Sequence, residues 1–359
     1  MPQGGVGYAA SPMHSSVSFG IVSFALLACS RPSGDAGGSA RIGIVQIASA
    51  KDITCARTQG GDVLCWGDDA FTSITMSASA LPAPTRTRPT PVAGVKGAVA
   101  LDVASSLGCA VDGTGALLCW IDRAADQHGP APPLQALATG VGDAAGISMG
   151  LASMPRVCVR KKDGTVSCLS ADRHALPRNE QRVSGVEGVE AFAAGDMVTC
   201  AVRGGGNLAC WGGSVVGLKG QGEALAGPPL LEGVKDVSAG SAFACAVDRA
   251  GKVVCFGSDK GQPPSRPASL VRAGVYHACI VDTGGHVACW GDDRFGQLGK
   301  HGPNGVEGVQ EVIDVAVGEW HTCALEKSGR VLCWGRNARG QLGDGTSKDR
   351  REAKEVSFP

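Results

Sequence analysis

The chain has 359 residues, and its 33 Lys and Arg balance 33 Asp and Glu, so the formal net charge is zero. A neutral chain offers no field to draw in nucleic acid or an anionic membrane surface, which weighs against both as partners. The 54 glycines supply turns in bulk, and the length suffices for one closed domain with little to spare.

Read from the N-terminus, residues 17–28 (Val-Ser-Phe-Gly-Ile-Val-Ser-Phe-Ala-Leu-Leu-Ala) carry no charge and are too short to span a bilayer, but suit the apolar region of a secretory signal. Leu26-Leu27-Ala28-Cys29 resembles a bacterial lipobox, which implies cleavage after residue 28 and a lipid on Cys29. Residues 29–40, rich in Gly and Ser, read as a flexible tether. Residues 1–28 contain no Lys or Arg, whereas a signal normally starts basic. Either the start differs, at Met13 or upstream, or the segment is not a signal and the protein is cytoplasmic.

The remaining fourteen cysteines form seven pairs, ten residues apart in each: Cys55 with Cys65, Cys109 with Cys119, Cys158 with Cys168, Cys200 with Cys210, Cys245 with Cys255, Cys279 with Cys289, and Cys323 with Cys333. A glycine follows every first cysteine by six residues (Gly61, Gly115, Gly164, Gly206, Gly251, Gly285, Gly329). A three-residue hairpin loop, built as a type I turn followed by a residue with positive φ, wants glycine at its last position. With the loop there, the two cysteines face each other on a non-hydrogen-bonded pair, about 4.5 Å apart at Cα and within disulfide reach. Each pair is therefore expected to bond within its own hairpin. The alternative is cysteine as a small buried apolar residue. Structural zinc is disfavoured, because a lone pair offers two ligands where four are needed.

Around each hairpin the pattern extends. The residue after the second cysteine is Trp66, Trp120, Leu169, Trp211, Phe256, Trp290 or Trp334, which marks a core layer. Five residues before the first cysteine stands Ala50, Ala104, Ser153, Gly195, Gly240, Gly274 or Gly318, small side chains that imply strands converging on an axis. Upstream again, stretches such as Val234-Lys235-Asp236-Val237-Ser238 and Val312-Ile313-Asp314-Val315-Ala316 read as half-buried strands. Proline-marked segments at Arg88–Val92, Pro228–Leu231 and Arg266–Leu270 fit a fourth, outer strand. Four strands per unit, at spacings of 34 to 54 residues between first cysteines, predict an all-β, seven-bladed β-propeller of four-stranded antiparallel blades.

Unit seven, with Gly318-Glu319-Trp320-His321-Thr322-Cys323-Ala324-Leu325, Gly329-Arg330-Val331-Leu332-Cys333-Trp334-Gly335-Arg336-Asn337 and Gly340-Gln341-Leu342-Gly343-Asp344-Gly345-Thr346, resembles the regulator of chromosome condensation repeat. Unit six repeats it as His277-Ala278-Cys279, Cys289-Trp290-Gly291 and Gly296-Gln297-Leu298-Gly299; units four and five keep the glycine and cysteine frame, and units one to three are degenerate. The resemblance covers about residues 41–359 and implies the propeller fold, here in a bacterial envelope-type member. It is poor for function, since propellers host many jobs. WD repeats fit less well, because no Asp follows the tryptophan.

Catalytic candidates are weak. His277 and His321 occupy a repeat position two residues before a first cysteine and read as structural. His286 falls in a hairpin strand, and His128, His174 and His301 in inter-strand loops. Asp68-Asp69 and Asp292-Asp293 follow Cys-Trp-Gly turns, where carboxylates cap turns more often than they bind metal. With no phosphate loop, His-x-x-x-His or Gly-x-Ser-x-Gly element, the reading is a non-enzymatic protein with no cofactor and no metal. The expected activity is binding, by a monomer displayed on the cell envelope or secreted, of a protein or glycan held in inter-strand loops. Segments Phe71–Pro91, Asp122–Leu134, Ala171–Val183 and Gly212–Pro228 vary most between units. The alternative that the resemblance implies is a guanine-nucleotide exchange or other regulatory factor inside the cell.

Overall fold

The computed structural model describes residues 43–67, 86–105, 107–121, 133–151, 156–172, 175–212, 230–257 and 261–359. Cys29, the signal and the tether lie outside them, as do His128, His174, Asp68-Asp69, Ser153 and most of the variable segments 71–91, 122–134 and 212–228.

Seven antiparallel sheets, each built from strands consecutive in sequence, form a seven-bladed β-propeller. Their inner strands are Ile44–Ala50, Ala98–Ala104, Ala144–Met149, Val189–Ala194, Val234–Ala239, Ala268–Ala273 and Val312–Val317. Each packs beside the next, and the last returns to the first, so the ring is closed. Among the described residues, blades 1, 2, 3 and 7 have four strands and blades 4, 5 and 6 have three.

The cysteine hairpins form in the predicted register, with the two cysteines of each directly paired across the strands. In blades 1 to 4, disulfides join Cys55 to Cys65, Cys109 to Cys119, Cys158 to Cys168 and Cys200 to Cys210. In blades 5 to 7 they join Cys245 to Cys255, Cys279 to Cys289 and Cys323 to Cys333. The paired Cα atoms lie 4.0–4.1 Å apart, somewhat closer than the spacing expected of a non-hydrogen-bonded pair. All fourteen sulfurs are thus bonded within their own hairpins, and the alternative of cysteine as an unpaired apolar residue does not hold.

The seven turn glycines have φ between 79° and 96°. They also act as spacers between blades. The carbonyl of Gly61 accepts the Ala98 amide at 3.0 Å, and Gly115, Gly164, Gly206, Gly251 and Gly285 each receive the first amide of the next inner strand in the same way. A Cβ on Gly61 would collide with that next strand, at 2.5 Å from the Gly97 Cα.

The axis is as crowded as the small residues imply. A Cβ on Gly195 would strike the Gly240 carbonyl and one on Gly240 the Gly274 carbonyl; on Gly274 it would lie 2.5 Å from the Gly318 oxygen, and on Gly318, 3.0 Å from the Lys51 oxygen. Trp66, Trp120, Trp211, Trp290 and Trp334 are buried in the layer between blades, as is Leu169.

The outer strands depart from expectation in three places. Thr90–Pro91 forms the fourth strand of blade 1, as its prolines suggest. Residues Ala268–Ala273, by contrast, are the inner strand of blade 6, so the segment Arg266–Leu270 leads into the axis and not along the rim. Unit five has the shortest spacing, and the ten residues between Gly257 and Ala268 leave little room for a fourth strand. Of the segment Pro228–Leu231, Leu230 and Leu231 are described, and both exchange backbone bonds with Leu208 at 2.9 Å. Finally, the segment Ala171–Val183, read as a variable loop, is mostly strand: Val166–Asp172 continues into the outer strand Ala175–Arg182. Its polar sequence is that of an exposed sheet edge, where charge blunts pairing with other chains.

Candidate functional site

Strand direction alternates within a blade, so each inner strand ends on the same side of the disc as each third strand. This side is the loop face. Third strands of blades 1, 2 and 4 end on it at Gly67, Ile121 and Trp211, where the chain enters the variable segments.

Two interblade seams support this face in blades 6, 7 and 1. At the first, His277 Nε2 lies 2.8 Å from Thr322 Oγ1, which donates to the Gln297 carbonyl at 2.9 Å, and Trp334 Nε1 donates to the same carbonyl at 2.9 Å. At the second, His321 Nε2 lies 2.8 Å from Thr54 Oγ1, which donates to the Gln341 carbonyl at 3.2 Å, where Trp66 Nε1 also donates at 2.9 Å. Gln341 also donates to Asp52 at 2.6 Å. The Gly-Gln-Leu-Gly elements are thus connectors: each presents a glutamine carbonyl to the threonine and tryptophan of the next blade. Ring closure between blades 7 and 1 uses the same device as the seam before it. Because each threonine donates to a carbonyl, it accepts from its histidine, which fixes the Nε2–H tautomer. Burial pushes His277 and His321 down to about 3, so both are neutral and structural.

Above these seams lies an aromatic cluster. Tyr276 and Trp320 occupy one repeat position, three residues before a first cysteine, at the tip of the turn between the first and second strands. Their rings stack with centroids 4.2 Å apart and planes at 24°. Phe295, in the loop after the third strand of blade 6, meets Trp320 edge-on at 5.3 Å. Arg294 lies over the Trp320 ring at 4.8 Å, and Arg336 over Phe295 at 5.3 Å, both within cation–π range. Arg294 grips Asp292 through Nε at 3.0 Å and Nη2 at 2.7 Å. Burial works against the Asp292 carboxylate, but its bonds with Arg294 and Gln297 prevail and hold it below the usual range. Backbone bonds anchor both turns: Asp292 N to the Tyr276 carbonyl at 3.0 Å, and Arg336 N to that of Trp320 at 2.8 Å. Trp320 is buried, whereas Tyr276 is 39% exposed. Burial raises the Tyr276 phenol and nearby Glu319 adds to this, so it stays protonated at neutral pH.

A second group lines the axial channel, a cavity of about 270 Å³ walled by all seven inner strands. Arg272 of blade 6 pairs with Asp236 of blade 5 and Asp314 of blade 7, each at 3.0 Å. Burial alone would weaken the guanidinium's charge, but the two carboxylates prevail and raise its pKa. Asp102 accepts the Val103 and Met149 amides, both at 2.8 Å. Burial nevertheless pushes it up to about 7. The set ties neighbouring blades together: Asp102 joins blades 2 and 3, and Asp236 joins blades 5 and 6 by accepting the Val271 amide at 2.8 Å.

Sequence reasoning placed Asp292 and Asp293 as turn caps, and they are: Asp292 receives the Arg294 amide at 2.9 Å and Asp293 the Leu298 amide at 3.0 Å. His301 faces Glu307 at 3.4 Å. His286 precedes its strand and contacts Asp282 at 3.2 Å. Among the described residues, no group of three or more His, Cys, Asp or Glu is placed to hold a metal ion. The reading missed the aromatic cluster. Its signal was the sixth tryptophan, Trp320, which stands outside the core register and in repeat alignment with Tyr276.

Models of the Regulator of chromosome condensation (RCC1) repeat match residues 234–262, 269–297, 312–341 and 328–359. Blades 5 to 7 of the propeller are RCC1-type repeats. These matches fall on blades 5 to 7, the last two of which carry the Gly-Gln-Leu-Gly connectors. No curated protein sequence matches it. Among solved structures, human WBSCR16 is similar at 16% identity, over 84% of this chain and 95% of that one, with a TM-score of 0.62. The CRINKLY WD40 ectodomain of the Arabidopsis thaliana receptor kinase ACR4 shares 18% identity over 88% and 99%, TM-score 0.54. The BP39L lectin of Burkholderia pseudomallei shares 15% over 88% and 100%, TM-score 0.52. At these identities the likeness is one of fold.

Proposed function

We propose that this RCC1-repeat protein is a non-enzymatic binding module displayed on the cell envelope. Residues 1–28 act as the signal, Cys29 carries the lipid, residues 29–40 form the tether and the disc presents its loop face to a protein or glycan partner. The observation that carries the binding reading is the exposed Tyr276 ring, stacked on a buried tryptophan and braced by two interblade seams. A rigid, half-exposed aromatic with fixed polar neighbours is the kind of anchor that dominates recognition. Placement outside the cytosol is supported by seven hairpin disulfides, which persist in oxidising compartments and seldom inside the cell. The fold is also that of proteins named as a receptor-kinase ectodomain and a lectin.

Envelope fractionation with thiol counting tests the placement. The expected result is a membrane-associated protein with no free thiol among the fourteen paired cysteines, released into the soluble fraction by Cys29→Ser with its fold intact. A soluble protein that keeps residues 1–28 and reduced cysteines would overturn the envelope reading and favour the intracellular regulatory one.

A further inference from the structure

Resting on the lipid anchor at Cys29, we propose that the disc lies on the membrane through the face opposite its loops, with Ile313, Val45 and Val99 in contact with the lipid surface. These residues share one feature of the blade. In every blade the pairing of inner with second strand skips one residue near the start of the inner strand. Such a bulged residue has no partner across the ladder, and the bulge re-aims its side chain. Inner strands end on the loop face, so the bulges ring the axis on the opposite one.

The ring is uneven. Ile313, Val45 and Val99 are 48, 41 and 51% exposed. They belong to blades 7, 1 and 2, which are consecutive around the closed ring. Blades 3 to 6 carry small or polar residues at the bulge, Ala145, Glu190, Lys235 and Ser269. A lone exposed aliphatic residue is ordinary on a protein surface, whereas one repeat position left apolar on three neighbouring blades marks an interaction site.

The chain entering this face decides the occupant. Gly43 leads directly into Ile44 and Val45, so the segment that bears Cys29 joins the disc at the middle blade of the arc. Cys29 stands fourteen residues before Gly43, and a Gly- and Ser-rich linker of that length has an r.m.s. reach of about 20 Å. A lipid on Cys29 therefore holds the arc close to the bilayer, at an effective concentration where a weak contact suffices. Membrane affinity grows with apolar area added to a lipid anchor. Aliphatic side chains make no directional bonds, which suits a fluid surface without fixed shape. In this pose the loop face and Tyr276 turn away from the bilayer, toward the partner.

The test uses the full-length lipidated protein in vesicles of phosphatidylethanolamine and phosphatidylglycerol that carry a nitroxide-labelled lipid. With fourteen cysteines bonded and Cys29 acylated, an introduced cysteine is the one thiol open to an environment-sensitive fluorophore. Labels at Val99→Cys and Ile313→Cys should shift to shorter wavelength on reconstitution and be quenched by the nitroxide. A label at Met197→Cys, in a loop-face turn of blade 4 and 42% exposed, should do neither. Val45→Asp combined with Ile313→Asp should abolish quenching at position 99, while the protein stays in the membrane fraction and melts with the wild type.

Labels at positions 99 and 313 that remain unquenched in a membrane-bound protein would overturn the proposal and leave the anchor in place. Quenching at position 197 in their stead would overturn it as well, by setting the loop face on the bilayer. A shift at position 99 without quenching, accompanied by a dimer in light scattering, would give the arc to a second copy of the chain and sink the membrane contact. Failure of the wild type to carry a lipid and to float with the vesicles would remove the anchor reading itself, and this inference with it.

Discussion

The seam that closes the ring yields a quantitative prediction for Thr54→Val. The substitution preserves shape and removes one hydroxyl, which accepts from His321 Nε2 at 2.8 Å and from Ser49 Oγ at 3.2 Å and donates to the Gln341 carbonyl at 3.2 Å. The carbonyl keeps its bond from Trp66, so its loss is small. The imidazole N–H is stranded instead: His321 is fully buried, and a buried donor without a partner costs about 1–3 kcal/mol. Adding a fraction of the lost bond gives about 2–3 kcal/mol. For a cooperative unit of about 320 residues (Arg41–Pro359), an unfolding entropy of about 2.1 cal/mol/K per residue converts this to a fall in Tm of about 3–4 °C. Thr322→Val, in the equivalent seam between blades 6 and 7, should cost a similar amount, less the share of the Ser49 bond that Thr54 alone accepts. Differential scanning calorimetry of the oxidised protein measures both. If Thr54→Val leaves Tm within about 1 °C of wild type while Thr322→Val lowers it, blades 7 and 1 are not joined as described and the reasoning fails.

Crowding at the axis predicts that Gly274→Ala destabilises by about 1–3 kcal/mol, because its Cβ would sit 2.5 Å from the Gly318 oxygen and 2.7 Å from Val317 Cγ1; Gly204→Ala, with nothing within 4 Å, is the control for chemical denaturation. Asp102, pushed up to about 7 by burial, binds its proton more tightly in the native than in the unfolded state. Its contribution is therefore fully present below the unfolded carboxylate range and is lost as pH rises to about 7. The stability of Asp102→Asn relative to wild type should accordingly rise between about pH 4 and about pH 8 in thermal melts, from a deficit set by the one backbone amide that Nδ2 cannot accept. Mass spectrometry of non-reduced peptides should find Cys55 linked to Cys65, Cys323 to Cys333, the other five pairs likewise, and no bond between blades; an interblade disulfide would contradict the hairpin register.

The hairpins, blade number and tryptophan layer were legible in the sequence because they are local: ten-residue spacing plus a glycine of positive φ sets a turn, and the turn sets which side chains meet. That is why Cys109 could be matched to Cys119, or Cys245 to Cys255, without reference to any other blade. The small residues before each first cysteine were legible for a similar reason, since steric exclusion at a common axis acts on every copy. Outer strands were harder to read. Their few backbone bonds leave little mark on composition, so Ala175–Arg182 looked like a loop and Arg266–Leu270 like a rim strand. What only the tertiary structure decided is which copies touch. Tyr276 and Trp320 stand 44 residues apart in sequence, and nothing short of placing blade 6 beside blade 7 brings their rings into contact. The same holds for Arg272 between Asp236 and Asp314, and for Thr54 reaching His321 across the ends of the chain. A repeat pattern states what each blade is, but contacts between blades depend on ring geometry, which brings together residues far apart in the sequence.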